Sequence, residues 1–127
     1  MDLTPLIPVG RQIIESYGDL RFKVTGTAHE GSVLVFPTRT VSWNVREMAS
    51  LSLDSLAPII EGARAGEIDL LLLGCGPRLA MVPRDLRANL RAQNVVVEPM
   101  DTGAAARTFN VLMAEGRRIA AALIAVE

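Results

Sequence analysis

Ile68-Asp69-Leu70-Leu71-Leu72-Leu73-Gly74-Cys75-Gly76 is the stretch on which the fold turns. A short apolar run closed by glycine suits a central strand covered on both faces. The segments on either side have helical spacing. Upstream, Leu56, Ile59, Ile60 and Ala63 repeat at helical intervals, and Asp54 or Ser55 offers an N-cap. Pro58 falls in the first turn, where its missing N–H costs little, and Gly66 ends the helix. Downstream, Pro83 opens a helix with Leu86 and Leu90 inward that stops near Asn94, and Val95-Val96-Val97 reads as the next buried strand. Thr102 is expected to cap a helix from Gly103 to Glu115 that buries Ala106, Phe109 and Met113 before Gly116 stops it. Arg118 to Val126 returns as a last strand rich in Ala and Ile. Such alternation of strand and helix predicts right-handed crossovers and a largely parallel central sheet.

The first part of the chain follows a different pattern. Gln12 to Tyr17, Leu20 to Val24, Ser32 to Phe36 and Thr40 to Trp43 are short β-rich runs separated by glycine-containing turns. Leu20, Phe22 and Val24 alternate with Arg21 and Lys23, the period of a strand with one solvated face. An antiparallel β meander is expected here. The class is therefore α/β, in a single domain spanning residues 1–127, because two cores would each be too small at this length.

Composition narrows the function. Half the residues are apolar but only 4% are aromatic, so the core is aliphatic and platforms for stacking bases or sugars are scarce. With 13 basic and 14 acidic residues the net charge is −1, which lacks the field of a protein built to grip phosphate backbones. Nucleic acid is therefore not an expected partner. One cysteine and one histidine cannot supply a metal site of ordinary N/S ligation, and no cofactor is expected. Met1 to Pro8 has neither a basic start nor an uninterrupted apolar run, and Leu70 to Leu73 is too short to cross a bilayer. The expected location is cytoplasmic, with no transmembrane segment.

Gly74-Cys75-Gly76 sits just past the buried strand, where open α/β sheets bind ligands. It departs from a dinucleotide fingerprint because Leu79 stands at the third glycine position and Ala80-Met81-Val82 delays the helix. Cys75 reads as packing rather than as a nucleophile, since no motif ties it to His29. Arg84, Arg87 and Arg91 share one helix face, preceded by Arg78, and read first as a solvated side. Thr108, Asn110, Glu115 and Arg117 punctuate the last helix and its exit, and their polar groups tie it internally to the Gly74 turn or face a ligand. The candidate pocket for a ligand or partner comprises Gly74, Cys75, Gly76, Asp101, Thr102, Thr108, Asn110, Glu115 and Arg117.

Gly74-Cys75-Gly76-Pro77, Gly31-Ser32-Val33-Leu34-Val35, Val41-Ser42-Trp43 and above all Asp101 to Arg117 carry a family resemblance. From about Ile13 to Ile124 the chain resembles the family of mitochondrial respiratory complex I (NADH dehydrogenase) assembly factor three and the Mth-like domain proteins. The resemblance implies a three-layer α/β fold around a central mixed sheet, and a protein that assists assembly without being a known enzyme. Many relatives carry Thr or Ser at the position of Cys75 and Cys at that of Ala106, which weakens any thiol mechanism. Richness in Ala and Arg points to a bacterial member. The implied partner is a protein, such as a respiratory-complex subunit or another assembly factor. The alternative is a small-molecule or nucleotide binding module, or an enzyme, using the crevice between the Gly74 turn and Asp101-Thr102.

Overall fold

A computed structural model describes residues 8–127. Met1 to Ile7, on which most of the N-terminal targeting reading falls, lie outside the described residues.

Three strands, β1 (Ile14–Gly18), β2 (Arg21–Val24) and β3 (Thr27–Glu30), form a small antiparallel sheet. Its two hairpins close through two-residue loops, Asp19-Leu20 and Thr25-Gly26, in which all four residues have positive φ. That backbone matches the right-handed strand twist. The meander stops there. Strands β4 (Val33–Val35) and β5 (Thr40–Ser42) instead join the second sheet, so the expected single meander is divided between two sheets.

The remaining elements are α1 (Ala57–Arg64), β6 (Leu70–Gly74), α2 (Arg84–Ala92), β7 (Val96–Met100), α3 (Thr102–Ala114) and β8 (Ile119–Leu123). The five-stranded sheet runs β5-β4-β8-β6-β7. β8 pairs parallel with β6 and antiparallel with β4, and β6 pairs parallel with β7, so the sheet is mixed.

Side-chain alternation splits the core in two. Leu34, Leu71, Leu73, Ala120 and Ala122 face Ile59 of α1 and Leu86 and Leu90 of α2. Val33, Val35, Leu72, Ala121 and Leu123 face Phe109 and Met113 of α3 together with Phe22 and Val24 of the small sheet. The result is three layers. Leu71 and Leu73 are fully buried, and each such side chain contributes on the order of 1.5–3 kcal/mol.

Three local expectations are corrected. Neither Asp54 nor Ser55 caps α1: Asp54–Leu56 is a turn of 3-10 helix, and the Ser55 hydroxyl donates to the Ser52 carbonyl at 2.6 Å. Val95-Val96-Val97 does pair beside Leu70–Leu73, but as an outer strand, because β8 takes the interior place between β4 and β6. Val95 and Val97 point inward, whereas Val96 is 48% exposed. The N-cap of α3 is Asp101, not Thr102: its carboxylate accepts from the Ala104 N–H at 3.0 Å. Thr102 is the first helical residue, and burial gives its hydroxyl a different use.

Candidate functional site

The glycine turn and the start of α3 meet, as the sequence suggested. The Thr102 N–H donates to the Gly76 carbonyl at 2.8 Å, and the Gly76 N–H donates to Thr102 Oγ1 at 3.0 Å. The Thr102 hydroxyl in turn donates to the Ile124 carbonyl at 2.7 Å, so one buried side chain clasps the ends of β6, α3 and β8. The Cys75 N–H donates to Met100 and the Ile124 N–H to Gly74, completing the clasp. Gly74 is required sterically: a β-carbon there would lie 2.9 Å from Leu123 Cδ2 and 3.1 Å from the Thr102 Cα. Gly76 is required conformationally, at φ +104°.

These bonds change the meaning of the crevice. The polar groups at its base bond to one another, and such groups have little left to offer a ligand. Cys75 is buried, with Sγ 3.6 Å from the Leu73 carbonyl and 3.7 Å from that of Ala80. His29 lies on β3 of the separate small sheet, where its register partner is Phe22. Among the described residues no three His, Cys, Asp or Glu side chains are grouped to hold a metal ion.

The nine candidate residues do not share one pocket. Gly74, Cys75, Gly76, Asp101 and Thr102 gather at the crevice. Asn110 bonds to Ile14 rather than to the glycine turn: it donates to the Ile14 carbonyl at 2.8 Å and accepts from the Ile14 N–H at 2.9 Å. Thr108 is half-buried on α3, and Glu115 is the exposed C-cap. Arg117 follows α3, a helix about 20 Å long at 1.5 Å per residue, and lines a cavity of about 460 Å³ with Asp69, Arg91, Asn94 and Val96. The separation is a consequence of helix length.

Two cavities bring in residues that the sequence reading did not name. At the mouth of the crevice a groove of about 450 Å³ is lined by Tyr17, Leu20, Gly76, Pro77, Asp101 and Arg107, with Arg107 Nη1 donating to the Tyr17 hydroxyl at 2.8 Å. Gly103 makes room for that hydroxyl, since a β-carbon would fall 2.5 Å from it. A second cavity, about 700 Å³, lies beside β5 and is lined by Trp43, Asn44, Ser52, Asp54 and Pro58. There the Trp43 indole N–H donates to the Ser55 carbonyl at 2.8 Å. A lone tryptophan was the available signal for that cavity, but its partner lies in a single turn of 3-10 helix, too short to leave a periodic trace.

An α/β sheet whose glycine turn is locked onto the start of the last helix defines the class. The chain belongs to the family described as protein of unknown function (DUF498/DUF598), whose model matches residues 14–124. It is 40% identical over 111 residues to an uncharacterized protein of Rhodobacter capsulatus, covering 87% of this chain and 82% of that one. It is 33% identical over 112 residues to NADH dehydrogenase [ubiquinone] 1 alpha subcomplex assembly factor 3 of Danio rerio. That match covers 88% of this chain but 63% of the fish protein, so the chain spans under two thirds of that relative. Among solved structures, one described as an outer membrane protein from Bartonella henselae matches with TM-score 0.85 at 34% identity, over 96% of this chain and 100% of that one. A Bordetella pertussis protein described as a Mth938-like domain matches with TM-score 0.79 at 30% identity, over 98% of this chain and 92% of that one.

Proposed function

We propose that this protein is a non-enzymatic assembly factor that binds a subunit or a fellow assembly factor of a respiratory NADH dehydrogenase. The observation that carries the reading is the Thr102 clasp. Where an α/β sheet usually opens to a ligand, the polar groups of Gly76, Thr102 and Ile124 are committed to hydrogen bonds with one another. Kinship with proteins named as assembly factors supports the same view, over 88% of this chain in the fish relative. The reading places the protein in the cytoplasm, acting on its partner before or during docking to the membrane. Among the described residues no helix is long and apolar enough to cross a membrane.

Gene deletion in the host, followed by native gel quantification of NADH dehydrogenase, tests the reading. The expected result is loss of the mature complex with accumulation of subassemblies, restored by the plasmid-borne gene. Unchanged levels of the mature complex would refute it.

A further inference from the structure

We infer that the arginine-lined side of α2, continued by Arg117, is a docking surface for an acidic segment of a protein partner. The inference rests on the assembly reading and specifies where it operates.

Between Arg78 and Arg91 the chain carries four arginines and one acid, Asp85, although its net charge is −1. Positive charge is thus locally dense in this segment. Arg84, Arg87 and Arg91 share a face of α2 by their spacing, and all are exposed. The helix runs back alongside the outer strand β7, where Arg87 Nη1 donates to the Val97 carbonyl at 3.1 Å. At the far end Arg91 and Arg117 line the same cavity of about 460 Å³, beside exposed Val96. The row therefore spans two separate segments of the chain, α2 and the turn before β8.

Its charges are unspent. The ion pairs among the described residues use Arg21, Lys23, Arg39 and Arg118, and none uses Arg84, Arg87, Arg91 or Arg117. Guanidinium groups left without carboxylates are suited to forked recognition of carboxylates from outside. Apolar anchors adjoin the row. In the loop entering α2, Ala80 and Val82 pack toward the core, leaving Leu79 65% and Met81 92% exposed. Exposed methionine and arginine together are typical of protein interfaces. A bilayer is the less fitting partner, because the apolar side chains flank the arginines at the two ends instead of forming one insertable patch.

The row also excludes one mode of binding. Pro99 has no N–H to donate and Arg87 covers the Val97 carbonyl, so β7 is a poor template for an added strand. Side-chain charge, not backbone pairing, would hold the partner.

A photoreactive residue placed at exposed Ala88 in the host cell tests this, with the same residue at exposed Thr38 as control. Adducts are mapped by mass spectrometry in the parent and in Arg84→Glu/Arg91→Glu/Arg117→Glu, whose melting temperature is first matched to the parent. The expected result is adducts at Ala88 to Asp- and Glu-rich peptides of a protein, reduced about tenfold or more by charge reversal but not by Arg46→Glu. Adducts that persist in the triple variant, adducts to phospholipid, or equal labelling from Thr38 would each overturn the inference. The two readings fail separately. If deletion lowers the complex and the triple variant restores it fully, the surface is wrong and the assembly reading stands. If deletion leaves the complex unchanged while adducts at Ala88 remain charge-dependent, the surface stands and the assembly reading fails.

Discussion

The carboxamide of Asn110 bonds both the N–H and the carbonyl of Ile14, at 2.9 and 2.8 Å, across 96 residues of sequence. It meets β1 as a neighbouring strand would and fastens the small sheet to α3. Replacement by leucine is expected to cost about 2–3 kcal/mol, since two bonds are lost and the Ile14 groups are left partly buried. Asn110→Asp keeps only the acceptor and should fall between parent and Asn110→Leu. Denaturant unfolding followed by circular dichroism measures both. Equal stability of all three proteins would show that the small sheet docks by apolar contact alone.

Thr102 offers a cleaner contrast. Thr102→Val keeps the shape but strands the buried Gly76 N–H and Ile124 carbonyl, and should cost about 2–4 kcal/mol. Thr102→Ser keeps both bonds and should lose about 1 kcal/mol for the missing methyl group. Thermal melts rank the two, and a serine variant as unstable as the valine one would contradict the clasp.

Two glycines near the same helix start should respond differently to alanine. At Gly74 the added carbon meets the Thr102 backbone, which cannot step aside, and a loss of about 1–3 kcal/mol is expected. At Gly103 it meets the tip of Tyr17, a half-exposed side chain that can rotate away. The helix gains up to about 1 kcal/mol of propensity there, so Gly103→Ala should be near neutral while releasing Tyr17 from Arg107. Unfolding curves give the first comparison, and NMR of the tyrosine ring reports the release.

Leu20 occupies the left-handed region at φ +58°, in a two-residue hairpin loop where asparagine and glycine are preferred. A left-handed leucine costs about 1–2 kcal/mol, and its side chain is 47% exposed. Leu20→Asn is therefore expected to raise stability by roughly 0.5–1 kcal/mol. A lower melting temperature would mean that the Leu20 side chain contributes more than its backbone strain costs.

Much of the fold was legible because burial leaves a periodic trace. Leu70–Leu73 reads as an interior strand and is one, and Phe109 and Met113 mark the inner face of α3 correctly. Strand order was not legible. Nothing local says that β8, with alanines where its neighbours carry leucine and valine, belongs in the interior, nor that the valine triplet then falls at the rim. Asp101 and Thr102 are both good caps, and only the burial of Thr102 separates their roles. The partner of Asn110 was invisible for a simpler reason, since it lies on the first strand and is brought near only by the finished fold.

Ala120, Ala121 and Ala122 are fully enclosed between the outer layers. An interior strand so slender lets the layers on both sides close tightly over it, and any bulkier residue would wedge them apart. Variation that such a scaffold tolerates lies outward, on rims, loops and helix exteriors, where a side chain can change without disturbing what lies beneath.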